Sequence, residues 1–355
     1  MKKLIKRFIV FISSSFSAII LLSLFCYIYS YTGIHVYNDS NATDYKWQKG
    51  QYKANMTEGF AWIRFDDNGF NNIDSNTNNI DMLIMGSSHM EAVQIKQKDN
   101  VAEIINKNTN YKVYNIGMSG HQIYNIVNNF ESAINYYNPN KYVIIEVDNI
   151  DLDVNTMNDV INKKFARIKS YDSGVVFYAQ KIPAVKTIYK QVQDWLNTEN
   201  NTESNVEKLV LNNIDEYDKT LYNFLKIINE NSKKNNIKTI IVYHPREKLD
   251  KNGDINYITD VSKLNSFKDD CEKLNIIFID MSETFKKNYY KEHKLAHGFN
   301  NTHVGNGHLN KFGHKLIANE LIYKINEMEA EWYVTDKSKI FCLFYYNLFF
   351  INYNK

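Results

Sequence analysis

Short apolar runs alternate with amphipathic segments along the middle of the chain. Runs rich in Val and Ile occupy residues 81–85, 113–116, 142–147, 239–243 and 276–279. Continuous runs of this kind are typical of strands that are covered on both faces. The pattern therefore predicts the strands of a buried parallel sheet.

Segments with helical spacing separate these runs. Apolar side chains recur every three or four residues in 123–137, 206–228 and 261–274, and again after Asn310, a favourable N-cap. Strands separated by helices predict right-handed crossovers and a three-layer α/β/α sandwich around a parallel sheet. In such folds the active site lies outside the carboxyl ends of the strands, so the residues that directly follow the strands are the candidates for chemistry.

The N-terminus has the pattern of a membrane anchor. Lys2, Lys3, Lys6 and Arg7 precede an uncharged segment, 8–31, that is long enough to cross a hydrocarbon core of about 30 Å. The basic flank predicts a cytoplasmic N-terminus and an extracellular domain in a single-pass membrane protein. A cleaved signal peptide is the alternative, but its apolar core is usually shorter, and 27–33 shows no small-residue cleavage site.

These patterns divide the chain into four predicted parts. They are a basic stub with the anchor (1–34), a linker and lead-in (35–80), an α/β domain (81–330) that contains an insertion or cap (151–205), and an apolar tail (331–355). The apolar run 340–351 in this tail is too short to span a membrane as a helix. It could lie in the interface, pack on the domain or pair with the anchor.

Composition excludes several classes of function. Lys+Arg (42) nearly balance Asp+Glu (40), and no basic run follows the first residues, so no nucleic-acid partner is predicted. Cys26, Cys271 and Cys342 are far apart and fit neither a metal motif nor a disulfide framework. The sequence suggests no metal and no organic cofactor.

Ser88 is the candidate nucleophile. It belongs to Gly86-Ser87-Ser88-His89, which follows the first predicted strand directly. A serine on a strand-to-helix turn is exposed and can attack a carbonyl carbon if a base reaches its hydroxyl. Gly-Ser-Ser is also a common turn, so the motif alone is weak evidence.

Two further turns could stabilise an oxyanion. Asn115–Gly120 follows the second strand and contains glycines that let the backbone approach a bound group closely. Asn149 follows the third strand and could donate its side-chain amide. Taken alone, the first segment is more typical of an ordinary βα turn, and the second is equally compatible with a polar turn after a strand.

His308 is the candidate general base. It lies in the glycine-rich segment 305–314, just before the final predicted helix. A histidine at the carboxyl edge of the sheet is well placed for this role, since its usual pKa is close to neutral pH. The alternative is a surface histidine in a flexible loop.

The order and spacing of these four motifs resemble those of the SGNH/GDSL hydrolase family, over about 81–328. The resemblance implies a flavodoxin-like sheet, Ser88 as nucleophile with Ser87 in place of the usual Asp, and His308 as base. It also implies an oxyanion hole formed by Ser88, Gly120 and Asn149. The third motif matches loosely, and Asp151 is an alternative to Asn149 in register.

One position departs from the family pattern. The family carries an Asp three residues before the base, where this chain has Gly305. Asn306, a backbone carbonyl or a carboxylate from elsewhere could orient His308 instead. His303 and His314 are substitutes for His308, although His314 falls on the final predicted helix and is expected to be structural.

The resemblance implies an exported, membrane-anchored serine esterase or O-acyltransferase acting on acyl groups, chiefly acetyl, of a cell-surface glycan or cell-wall polymer. Its expected partners are the acylated polymer, membrane lipid around the anchor, and a multi-spanning membrane acyltransferase. The alternatives are a catalytically inactive accessory protein with the same fold, which the missing Asp favours, and a lipase, which would need an apolar groove.

The predicted topology is testable in intact cells. External protease should digest the domain that follows residue 34, because the basic flank keeps only the N-terminus inside. Immunoblotting would follow the domain, with a cytoplasmic protein as the control for intact cells. Full protection of the domain until lysis would contradict the topology.

Overall fold

The computed structural model describes residues 2–30, 35–55, 58–166, 214–257 and 259–330. Most of the predicted cap and the whole apolar tail, including 340–351, lie outside these ranges. The expectations for those segments therefore stay predictions.

The apolar runs named above form the strands of the central sheet, and the structure adds shorter strands that the sequence did not predict. The strands are β1 (His35–Tyr37), β2 (Tyr45–Trp47), β3 (Tyr52–Asn55), β4 (Ala61–Arg64), β5 (Met82–Met85), β6 (Val113–Asn115), β7 (Tyr142–Val147), β8 (Lys238–Tyr243), β9 (Glu247–Leu249), β10 (Ile255–Tyr257) and β11 (Ile277–Asp280). The helices are α1 (Lys2–Ser30), α2 (Ser88–Glu91), α3 (Val101–Asn108), α4 (Ile123–Tyr137), α5 (Val154–Ile161), α6 (Ile214–Lys234), α7 (Val261–Lys273), α8 (Ser282–Glu292) and α9 (311–330).

The central sheet is parallel and has the strand order β11-β8-β7-β5-β6. The chain moves outward from β5 to β6, returns to β7 on the other side of β5, and then continues to β8 and β11. This is the flavodoxin-like order, and its direction reverses between β5 and β7. The predicted fold class is confirmed. The reversal also marks the crevice beyond the carboxyl ends of β5 and β7 as the place where a ligand would bind.

Strand side chains alternate between two apolar layers. Leu83 and Met85 belong to the layer that includes α4, α5, α6 and α7. Met82 and Ile84 belong to the opposite layer, which includes α3, α8 and α9. Because successive side chains of a strand point to opposite faces, both faces of β5 are buried. This burial explains why its sequence is apolar throughout rather than alternating.

The lead-in segment 35–80 is built into the domain. It contains two antiparallel pairs, β1–β2 and β3–β4. Trp47, Phe65 and Phe70 are buried in the same apolar cluster as α4, and the rings of Trp47 and Phe65 stack with centroids 4.7 Å apart. These strands are too short for periodicity to reveal them, which is why the sequence suggested a linker.

Helix α1 is apolar and exposed. Its segment Lys3–Cys26 has a mean hydropathy of 2.4 and is long enough to cross a membrane. A membrane anchor and a signal sequence both have this character near an N-terminus. The anchor and its orientation therefore stay predictions.

Candidate active site

The turn that carries Ser88 is fixed to the neighbouring strand. Ser88 is the first residue of α2 and follows β5 almost directly. The Ser87 N–H donates to Glu146 Oε2 at 2.7 Å, and the Ser87 hydroxyl oxygen accepts from the His89 N–H at 3.2 Å. Because Glu146 belongs to β7, this hydrogen bond joins the two strands at the reversal point of the sheet.

Gly86 permits this close packing. A Cβ at this position would lie 2.5 Å from Met90 Cγ and 2.7 Å from Glu146 Oε2. Both distances are shorter than any normal contact of carbon. Glycine is therefore required where β5 passes into α2.

His308 is held against the nucleophile by its own loop. The Gly298 N–H donates to the His308 carbonyl at 3.0 Å, and the Asn310 N–H donates to the Ala296 carbonyl at 2.9 Å. These two hydrogen bonds fix the two ends of the loop. They place His308 Nε2 2.7 Å from Ser88 Oγ, within the range required for proton transfer.

Glu58 completes a triad with Ser88 and His308. Its Oε2 lies 2.5 Å from His308 Nδ1, and its Oε1 accepts from the His308 backbone N–H. The Glu58 loop is fixed in turn: the Gly59 N–H donates to Asn301 Oδ1 at 2.8 Å, and the Asn301 amide donates to the Gly59 carbonyl at 3.2 Å. Asn301 belongs to the loop that carries His308. The Glu58 loop is therefore hydrogen-bonded to that loop both through His308 and through Asn301.

The structure decides between the alternatives for the residue that orients His308. Glu58, a carboxylate from elsewhere in the chain, occupies His308 Nδ1. The candidate Asn306 does not, and its N–H donates to the His303 carbonyl at 3.0 Å. Gly305, where the family carries its Asp, has φ +69°. A residue with a side chain is strained in this left-handed conformation, so the loop is not shaped to carry the acid there.

The electrostatics of Glu58 suit an ionised partner of histidine. Burial favours a higher pKa, but hydrogen bonds from the His308 ring and backbone, with attraction to the His308 charge, hold the pKa of Glu58 below its usual value. The carboxylate therefore stays charged at neutral pH. The stability it contributes is present above the unfolded pKa and is lost as the pH falls through the lower folded pKa.

His89 supports the base from behind. Its ring centroid lies 4.9 Å from that of His308, and its Nδ1 accepts from the Leu309 N–H at 3.1 Å. Burial, together with repulsion from His244 and His297, places the pKa of His89 well below its usual value. An uncharged ring beside His308 does not compete with it for a proton.

The predicted oxyanion groups lie at adjacent strand ends. Gly120 follows β6 and Asn149 follows β7, and these two strands flank β5, which precedes Ser88. Asn149 Oδ1 accepts from the Asp151 N–H at 2.9 Å, so its amide nitrogen is the end left to donate. The Asp151 carboxylate pairs with Lys263 instead. The convergence of the Ser88 N–H, the Gly120 N–H and the Asn149 amide on one oxyanion stays a prediction.

The two substitute histidines have other positions. His303 is exposed in the loop before His308. His314 is fully buried on α9, and this burial lowers its pKa to about 3. Since His308 already contacts Ser88, neither is needed as the base.

A small polar cavity of about 120 Å³ lies beside the Ser88 turn. Polar side chains from the ends of β5, β7 and β8 and from the turn before α4 line much of it, namely Ser87, His121, Gln122, Glu146, Asp148, Asn149 and Arg246. Apolar residues complete the lining, namely Ile123, Tyr124, Ile126, Val147 and Leu152, and neither Ser88 nor His308 is among the lining residues.

Several solved structures resemble this chain. An esterase, EstA, from Pseudoalteromonas sp. is 15% identical, with 70% of this chain and 97% of that chain covered and a TM-score of 0.36. The acetyl xylan esterase AlAXEase is 14% identical, covering 69% and 99%, with a TM-score of 0.39. A member of the lipolytic G-D-S-L family from Veillonella parvula is 15% identical, covering 68% and 96%, with a TM-score of 0.36.

The Veillonella parvula structure carries the G-D-S-L family name that the sequence motifs suggested, and the other two are esterases. No family model and no curated protein sequence matches the chain. The chemistry of the site therefore follows from the residues of the chain itself.

The role of Glu58 is testable with Glu58→Gln. The amide keeps the size of the side chain but cannot stabilise a protonated His308, and the loss of the equivalent carboxylate in serine proteases lowers kcat by about 10⁴. We expect a fall in kcat of between roughly 10² and 10⁴, with little change in KM. The measurement is hydrolysis of an acetyl ester by purified protein.

Glu131→Gln is the matched control, because Glu131 is an exposed carboxylate whose partner is Lys234 and not a residue of the triad. It should keep full activity. Equal kcat values for Glu58→Gln and the unaltered protein would show that Glu58 does not assist His308.

Proposed function

We propose that the protein is an exported, membrane-anchored serine esterase or O-acyltransferase that acts on ester-linked acyl groups, chiefly acetyl, of a cell-surface glycan. The line of contacts from Ser88 through His308 to Glu58 carries this proposal. A hydroxyl, an imidazole and a carboxylate in this order form the arrangement that activates serine in acyl transfer.

Acylation follows from the distances. Ser88 Oγ attacks the carbonyl carbon of the ester, and its proton passes to His308 Nε2, 2.7 Å away. The Glu58 carboxylate accepts the hydrogen bond from His308 Nδ1 and stabilises the imidazolium that forms. Backbone and amide donors near Gly120 and Asn149 would hold the oxyanion of the tetrahedral intermediate.

His308 completes acylation by giving its proton to the departing alcohol oxygen as the ester bond breaks, which leaves the acyl group on Ser88. Deacylation uses the same groups in reverse. His308 removes a proton from water or from a sugar hydroxyl as that oxygen attacks the acyl-enzyme, and it returns the proton to Ser88 Oγ as the bond between Ser88 and the acyl group breaks. Because both acceptors need the same triad, hydrolysis and transfer are two outcomes of one site. In the transfer outcome, a multi-spanning membrane acyltransferase is the proposed source of the acyl group.

Glu58 weakens the main alternative. An inactive accessory protein was attractive because the family's Asp is replaced by Gly305. The carboxylate arrives from the lead-in segment instead, so no member of the triad is missing. The carboxylate on His308 Nδ1 supplies the orienting contact that the replacement of the Asp had left in doubt.

The substrate class is supported by the cavity and the anchor. The cavity beside Ser87 is small, and many of its lining groups are polar, which fits a short acyl group on a sugar. The apolar helix α1 would hold the domain at the membrane surface, where surface polymers are assembled. The choice of a glycan also draws on analogy with anchored members of the family.

Ser88 and His308 should behave as one catalytic unit. Ser88→Ala and His308→Ala should each abolish acetyl-ester hydrolysis, and the double variant should be no worse than either, since both changes remove the same step. A serine-directed phosphonate should label the unaltered protein and not Ser88→Ala, as measured by mass spectrometry.

Ser262→Ala, an exposed serine on α7, is the matched control and should keep both activity and labelling. Full biological function of Ser88→Ala, in a cell whose own copy is deleted, would overturn the proposal and leave an accessory protein.

The oxyanion assignment is tested by comparing Asn149→Ala with Asp151→Ala. If the Asn149 amide holds the oxyanion, kcat should fall about 10²–10³-fold with little change in KM. Asp151→Ala should leave kcat nearly unchanged, because its carboxylate pairs with Lys263. The reverse pattern in kcat would mean that Asp151 is the residue in register.

A further inference from the structure

A cluster of buried imidazoles lies behind the triad. His89, His244 and His297 are 4%, 0% and 2% exposed, and one ring nitrogen of each lies within 4.8 Å of the others. His89 contacts His308, but His244 and His297 have no role in the mechanism above. Burying an imidazole lowers the stability of the fold unless both of its nitrogens have hydrogen-bond or metal partners, so each ring nitrogen of this cluster should have such a partner.

Two of these rings are each backed by a buried carboxylate. His244 Nε2 lies 2.6 Å from Glu146 Oε1, and His297 Nδ1 lies 3.3 Å from Glu247 Oε2. A carboxylate only accepts, so each imidazole places its single proton on the nitrogen that faces it. A carboxylate behind each histidine is the usual outer shell of histidines that bind a metal ion.

The two remaining nitrogens face each other. Because each ring's proton lies on the nitrogen that faces its carboxylate, His244 Nδ1 and His297 Nε2 carry only lone pairs. These two nitrogens lie 3.2 Å apart. Two lone pairs at this distance repel unless a cation lies between them. Two imidazole nitrogens bound to one tetrahedral zinc ion, at about 2.0–2.1 Å each, are separated by about 3.3 Å. The observed separation matches that geometry.

We propose that His244 Nδ1 and His297 Nε2 bind a divalent transition-metal ion of the zinc class. The charge of the surroundings supports a dication. Glu146 and Glu247 are 2% and 5% exposed, and Glu247 Oε1 has no hydrogen-bond partner among the described residues. A dication offsets both buried carboxylates, whereas a single shared proton offsets only one of them.

His89 is the third imidazole within reach. Its Nδ1 accepts from the Leu309 N–H, and its Nε2 lies 3.7 Å from Asp148 Oδ2, so its contribution is tested separately. The site also has a structural consequence. Glu146 accepts from both His244 and the Ser87 N–H, so a metal on His244 would stiffen the turn that carries the nucleophile.

The experiment uses the full chain in detergent, purified without a histidine tag and without chelator. Metal content is measured by mass spectrometry after exposure to Zn²⁺ and desalting, and Co²⁺ is added as a spectroscopic probe. We expect about one bound ion per chain, the visible absorption of tetrahedral Co²⁺ with nitrogen ligands, and a higher Tm with the metal than after chelation.

Two substitutions remove a ligand nitrogen and keep the outer hydrogen bond. His244→Gln retains an N–H near Glu146, and His297→Asn retains one near Glu247, so both should fold and yet lose at least ten-fold in metal affinity. His89→Gln should reduce affinity as well if His89 is the third ligand. His303→Gln, an exposed histidine in the same loop as His308, is the matched control and should bind metal like the unaltered chain.

The proposal stands apart from the esterase activity. Metal binding is measured in Ser88→Ala as well, where it should be unchanged whether or not the protein is an esterase. Binding of Zn²⁺ or Co²⁺ by the unaltered chain no tighter than by His244→Gln and His297→Asn would overturn it. In that case the two rings share a proton, and the cluster is a hydrogen-bonded support.

Discussion

The hydrogen bond from the Ser87 N–H to Glu146 Oε2 is the interaction on which the site depends. It crosses from β5 to β7 where the strand order reverses, and it fixes the turn before the nucleophile. The other oxygen of Glu146 accepts from His244, which contacts His297. The position of Ser88 is therefore coupled to a buried polar network and not only to the apolar core. Such a network rigidifies a site when all its members are satisfied.

Much of the fold and two of the three triad residues could be predicted from the sequence. Buried parallel strands are apolar on both faces, so β5, β7 and β8 appear as uninterrupted runs. Ser88 and His308 follow from their places beside strand ends and before a helix. Glu58 could not be found in this way. It lies in a loop 250 positions before its partner, and only packing of the lead-in segment brings the two together.

The buried cluster escaped prediction for a related reason. His89, His244 and His297 are far apart in sequence and show no ligand spacing, although His244 and His89 both follow strands of the central sheet. One signal was present: Glu146 places a carboxylate inside the apolar run of β7. A charged residue on a strand that is buried on both faces needs a partner, and this constraint points to a polar site at the strand's end.

The lead-in segment is consequently part of the catalytic unit. It supplies Glu58 to His308, and Trp47 donates its ring N–H to Glu91, the last residue of α2. The Glu91 carboxylate also accepts from the Ser119 hydroxyl, beside the predicted oxyanion donor Gly120. One segment therefore supplies the acid and contacts both the helix that begins at Ser88 and the predicted oxyanion turn. A domain boundary at residue 81 would divide the site, because the physical unit begins with the strands that pack Trp47.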